Sequence, residues 1–131
     1  RCESDYRDDE KADSRVQKFR ALLCFRDVIQ ISYDHEVLEK HEELLQYRQL
    51  VFPKKDIKIW ADSLTKILGP SQKPIGKETE LFHRKLTKQF GGLEKSQDLH
   101  CKDFGSYRVL AMLWPWRDDL NVTFKAAIVQ N

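Results

Sequence analysis

The sequence predicts an all-α protein organised around one very long helix, and three observations predict it. Between Val37 and Leu68 apolar residues recur at helical spacing, most clearly at Ile57, Trp60, Ala61, Leu64, Ile67 and Leu68. A hard stop follows, Gly69-Pro70-Ser71-Gln72-Lys73-Pro74-Ile75-Gly76. Beyond it Leu81, Phe82, Leu86 and Phe90 resume the same period.

The elements are justified in order. Residues 1–12 are polar and mostly acidic, and are expected to be flexible. Asp13 or Ser14 can cap a first helix whose turns are marked by Val16, Phe19, Leu22, Leu23 and Ile29. Ser32-Tyr33-Asp34 breaks it, and Asp34 can cap the next helix, with Glu36 at the positive end of its dipole. That helix carries one fault, Pro53, which costs about 3 kcal/mol in a helix interior. Either the helix kinks there, or it ends near Val51 and restarts with the proline in its first turn. Leu50, Ile57 and Leu64 stay in phase across it, which favours a kink. Some 33 residues at about 1.5 Å each would make a rod of about 50 Å.

Gly69 suits the position after a helix end, and Pro70 forbids continuation. Gly91-Gly92 ends the following helix. Leu93 to His100 could be a short helix, and Tyr107 to Trp114 a helix or a buried strand. Trp114-Pro115-Trp116 stops that segment, and residues 117–131 form an extended, apolar tail of ambiguous type. The whole chain, 1–131, reads as one domain.

Composition bounds the function. Forty per cent hydrophobic and 34% charged residues describe an ordinary globular chain, and no apolar run reaches transmembrane length. The net charge is only +2, but residues 1–53 sum to −3 and residues 54–95 to +5. The basic stretch contributes Lys54, Lys55, Lys58, Lys66, Lys73, Lys77, Arg84, Lys85, Lys88 and Lys95, a surface suited to anionic lipid or an acidic glycoprotein. It lacks the aromatic-plus-basic signature of a nucleic-acid module, so no nucleic-acid partner is expected.

The three cysteines leave at least one unpaired or bridging between chains, so a homodimer is a possible state. Cys24 falls on an apolar helix face, and Cys2 with Cys101 could form one bridge in a secreted chain. No phosphate loop, nucleophile elbow, dinucleotide fingerprint or metal motif is present, so neither an enzyme nor a cofactor is expected. Asn121-Val122-Thr123 is a glycosylation sequon. Trp114, Trp116, Leu120, Val122, Phe124, Ile128 and Val129 load the C-terminal region with apolar side chains. They either close a core or form an exposed patch of the kind that meets membranes and partners.

The order and spacing of certain residues resemble the lysin family of abalone sperm acrosomal proteins. The carrying residues are Cys24-Phe25-Arg26-Asp27, then Val37, Lys40 and Arg48, then Trp60 with Leu68-Gly69 at a fixed interval, the Pro74…Gly76 turn, Thr79…Leu81, and Tyr107 as part of a fifth, short helix. The similarity spans about residues 14–110. It implies a five-helix, up-and-down-like bundle and a secreted protein of the acrosomal vesicle that works in fertilization without catalysis. One branch of the family dissolves the egg vitelline envelope by binding a coat glycoprotein, and its paralogue is implicated in gamete membrane fusion. The low net charge, Pro53, and Lys54-Lys55-Asp56 where lysin carries aromatics all depart from lysin itself. This divergence from lysin, together with the apolar tail, favours the fusogenic paralogue, itself of a very basic kind, with egg-membrane lipid as partner and egg-coat glycoprotein as the alternative. The contact residues so expected are Lys54, Lys55, Lys58, Lys66, Arg84, Lys85, Lys88, Trp114, Trp116 and Phe124. A third reading is an intracellular helical interaction domain.

Overall fold

A computed structural model describes residues 13–131. The chain folds as α+β rather than as a helical bundle. Helix α1 (Ser14–Asp34) leads into strands β1 (Glu39–Leu44) and β2 (Tyr47–Pro53), then a 3-10 turn (Lys54–Asp56) and helix α2 (Ile57–Leu68). The short helix α3 (Leu81–Thr87) and a 3-10 turn (Lys88–Phe90) precede β3 (Asp98–Asp103), β4 (Tyr107–Pro115) and β5 (Asn121–Gln130). The five strands form one antiparallel sheet in the order β1-β2-β5-β4-β3.

Several expectations hold locally. The Asp13 carboxylate accepts the amides of Arg15 at 2.9 Å and Val16 at 3.0 Å, capping α1. Gly69, at φ +92°, ends α2 with its amide bonded to the Thr65 carbonyl at 2.9 Å. Gly91, at φ +99°, takes the left-handed conformation that ends the turn after α3.

The all-α, five-helix reading is overturned by the sheet, and the long helix by β1 and β2. The helix that does form there has 12 residues, about 18 Å. The seven-residue phase of Leu50, Ile57 and Leu64 is real, but it links a strand to a helix: Leu50 and Phe52 point into the same core as Trp60 and Leu64. Pro53 does not kink a helix; it stands at the N-cap of the 3-10 turn that leads into α2. It is the last residue of β2, where the ladder ends and its missing N–H costs little. Asp34 closes α1 and caps no second helix. Residues 93–100 enter β3 rather than a helix, Tyr107 starts β4 rather than a fifth helix, and the expected tail becomes the middle strand of the sheet.

Alternation along β5 divides the interior in two. Val122, Phe124, Ala126 and Ile128 face α1 and α2, joining Ala21, Phe25, Val28, Trp60 and Leu64. Ala127 and Val129 face the other way, toward Leu99, Cys101, Leu110 and Met112 and, from the α3 region, Leu86, Phe90 and Leu93. An aromatic stack anchors the larger core: Trp60 lies parallel to Phe52 at 4.2 Å and tilted against Phe124 at 5.0 Å.

The two sheet edges are protected differently. β1, Glu39-Lys40-His41-Glu42-Glu43-Leu44, is exposed throughout and kinked by a bulge between Lys40 and Glu42, a charged edge that resists pairing with other sheets. The outer edge of β3 is covered by the segment after α2: the Gln72 amide donates to the Leu99 carbonyl at 2.8 Å and the Leu99 amide to the Lys73 carbonyl at 3.1 Å.

Phe124 is fully buried beneath the Trp60 ring. Its replacement by Ala should cost about 3–5 kcal/mol in urea unfolding, whereas Trp116→Ala, at a side chain 39% exposed, should cost much less.

Candidate functional site

The sequence gathered its basic residues into one surface; the fold divides them. Lys54, Lys55, Lys58 and Lys66 flank or ride on α2, on the large-core face of the sheet, while Arg84, Lys85 and Lys88 belong to the α3 region on the opposite face. The first group is largely neutralised. Lys54 pairs with Asp119, Lys55 with Glu36 at 3.6 Å and Lys58 with Asp62 at 3.0 Å. Trp116 and Leu120 stand exposed in the β4–β5 turn beside Lys54, whose amide donates to the Leu120 carbonyl.

Lys73, read from sequence as surface, is buried. Its ammonium donates to the carbonyls of Glu94, Lys95 and Gln97 at 2.7, 2.6 and 2.5 Å. Burial depresses its pKa, only partly countered by Asp98 and Glu78. All three N–H groups are used to fold one loop, so Lys73 offers nothing to a partner. Among the expected aromatic contacts, Phe124 is core and cannot reach a membrane, and Trp114 is half-buried under Lys125. Of these only Trp116 is exposed.

Groups with catalytic potential are also tied down. Burial pushes the Cys24 thiol up to about 12 and the Cys101 thiol up to about 11, leaving almost no thiolate near neutrality. Both thiols are free; Cys2, and with it the expected bridge, lies outside the described residues. His100 is buried between two acceptors, the Gly69 carbonyl at 3.0 Å from Nδ1 and the Asp98 carboxylate at 3.2 Å from Nε2. Two acceptors require two ring protons, so the arrangement is a buried imidazolium–carboxylate pair, completed by a hydrogen bond from Ser71 to Asp98. It fastens the end of α2 to β3 and leaves no ring nitrogen free for proton transfer. Among the described residues no group of three or more His, Cys, Asp or Glu is placed to hold a metal, and no helix is long and apolar enough to cross a membrane. The sequon residues are engaged as well: Asn121 donates to Asp118 at 2.9 Å, and Thr123 accepts from the Trp116 indole at 2.8 Å.

Two features remain open to solvent on the face covered by α3. One is α3 itself. Leu81 and Phe82 are 65% and 52% exposed at its start. Arg84, Lys85 and Lys88 follow, exposed and without an acidic partner among the described residues. The Arg108 guanidinium lies 5.1 Å from the Phe82 ring, but it pairs with Asp103 at 3.2 Å and adds no unpaired charge. The other is a cleft of about 420 Å³ between β1, β2, β5 and residues 89–91, lined by Glu42, Tyr47, Gln49, Phe90 and Lys125 among others. Sequence reasoning missed this cleft. A lone lysine inside the apolar run of residues 122–129 was its one available signal.

The His100–Asp98 pair makes stability depend on pH. Burial opposes the charge on His100, yet the bonds to Asp98 and Gly69 prevail and its pKa is raised above 6.5. Its contribution is therefore complete below 6.5 and lost as pH rises through the raised value. Burial likewise opposes the Asp98 charge, but His100 and Ser71 prevail and its pKa falls below 3.8, so its contribution is lost as acid reaches that lowered value. The stability difference between wild type and Asp98→Asn should form a plateau between about pH 4 and 6.5 and decline on both sides, measured by urea unfolding across pH.

Comparison with known protein families, with curated proteins and with solved structures finds no match to this chain.

Proposed function

We propose that the protein acts by docking reversibly on anionic membrane surfaces through α3, without catalysis. The observation that carries this reading is the exposed Leu81–Phe82 pair set against Arg84, Lys85 and Lys88. Large apolar side chains beside unneutralised cations are what an interfacial binding surface presents. The inner side of the same helix is already committed, with His83 and Thr87 buried and Leu86 against the smaller core. The outward residues make no ion pair among the described residues, and Phe82 touches the rest of the fold through Arg108 and His83.

The magnitudes describe weak, salt-sensitive attachment. Each basic side chain contributes about 1 kcal/mol near a negatively charged leaflet. Each of the two apolar side chains contributes at most about 1.5–3 kcal/mol on full withdrawal from water. The Lys54–Lys58 end of α2 is the weaker candidate, since Asp119, Glu36 and Asp62 neutralise its cations.

This reading keeps the membrane partner expected from sequence and relocates the contact. The fertilization roles implied by the lysin resemblance belong to a helical bundle that this chain does not form, so the α3 surface alone supports the proposal.

Sedimentation with phosphatidylcholine vesicles, with and without phosphatidylserine, tests it. The protein should pellet only with the anionic vesicles, and less as salt rises. Leu81→Ser with Phe82→Ser, or Arg84→Glu with Lys85→Glu and Lys88→Glu, should abolish pelleting, while Trp116→Ala should leave it intact. Failure to bind, or binding indifferent to both sets of changes, would refute the proposal.

A further inference from the structure

We propose that the sheet-face cleft is a binding site for a small planar monocarboxylate held by Lys125. This site is separate from the membrane-docking surface and does not depend on it. The cleft, about 420 Å³, is of a size that holds a small molecule.

Lys125 is the unusual feature. It projects from the middle of the central strand, on the face away from α1 and α2, and is only 8% exposed. Lysine is seldom buried so far without a partner for its charge. Its ammonium donates to the Phe90 carbonyl at 2.7 Å and sits 3.4 Å from the centre of the Trp114 ring. One carbonyl and one π face leave part of a three-donor group uncommitted, and Lys125 lines the cleft. No carboxylate lies within ion-pair distance of it among the described residues. Burial lowers the Lys125 pKa, partly opposed by Glu42, so a bound anion would supply the counter-charge that this pre-positioned, partly desolvated ammonium lacks.

The walls narrow the class. Tyr47 stacks on Phe90 with ring centres 5.4 Å apart and planes 8° from parallel, a flat apolar wall suited to a planar group. The Tyr47 hydroxyl donates to Gln49 Oε1 at 2.8 Å, which leaves the Gln49 amide nitrogen as a second donor. Glu42 stands on the same lining, and its charge acts on both Lys125 and Tyr47. It opposes any anion there, and a phosphate or other multiply charged ligand most, so among anions a single carboxylate is disfavoured least.

Gly91 shows how closely this corner is built. A Cβ there would lie 2.7 Å from the Trp114 ring and 3.2 Å from the Lys125 ammonium, at a φ of +99° that disfavours any side chain. The backbone approaches because no side chain intervenes, and that approach brings the Phe90 carbonyl to Lys125.

The test uses benzoate and its neutral isostere benzamide as probes, titrated into the 15N-labelled wild-type chain and followed by amide NMR shifts. Benzoate should shift amides at residues 47–49, 89–91 and 124–126. Benzamide should bind about tenfold more weakly or not at all, as expected for losing a hydrogen bond to a charged group. Lys125→Met, with its fold checked by circular dichroism, should abolish the benzoate response. Equal binding of the two probes, shifts elsewhere on the protein, or no benzoate response would overturn the proposal. The benzamide comparison needs no variant, so it stands even if Lys125→Met fails to fold.

Discussion

The structure depends on the alternation of side chains along β5. This strand has neighbours on both sides, β2 and β4, and sends Phe124 and Ala126 to one face and Lys125 and Ala127 to the other. A one-residue slip in its register would exchange those sets, placing a lysine amine under the Trp60 ring and Phe124 in the cleft. The cost of either error fixes the register, and the register fixes which face carries α1 and α2. The more lightly covered face is left for α3 and the cleft, where both proposed binding surfaces lie.

Buried charge does a second kind of work. In the connection from α2 to β3 the stretches on either side of α3 lack regular structure, and two charged side chains hold them. His100 ties the end of α2 to β3 through Gly69 and Asp98, and Lys73 gathers the carbonyls of Glu94, Lys95 and Gln97. Neither lysine nor imidazolium could be buried there without these acceptors. Their loss would free the segment that covers the β3 edge. The same accounting separates them from Lys125, whose partners leave part of its hydrogen-bonding capacity open.

Local signals in the sequence were legible where a single residue's chemistry sets the backbone. Asp13 as a cap, Gly69 and Pro70 as a stop, Gly91 as a helix end and the Trp60–Leu64–Leu68 face all appear as expected. The β1–β2 hairpin was not legible, for physical reasons. Its turn, Leu45-Gln46, lacks Gly or Asn, and neither residue has a positive φ, so the usual hairpin signal is missing. β1 is a fully exposed edge with no apolar alternation, and its charges read equally well as a solvated helix. The Leu50–Ile57–Leu64 phase satisfied a helix because strand β2 and helix α2 happen to aim at one core. Of the expected contact residues, Arg84, Lys85 and Lys88 lie on the candidate surface, Lys54, Lys55 and Lys58 are neutralised by neighbours, and Phe124 is core. Charge counts along a chain say nothing of which sheet face a segment will cover.

The most direct test of this account is amide hydrogen exchange followed by NMR, with Cα chemical shifts read on the same sample. Residues 121–130 should show strand shifts and contain the most slowly exchanging amides, because β5 opens only when the sheet does. Residues 47–53 should show strand shifts as well. Helical shifts between Val37 and Pro53, or fast exchange throughout residues 121–130, would contradict the central role of β5 and return the chain to a helical reading.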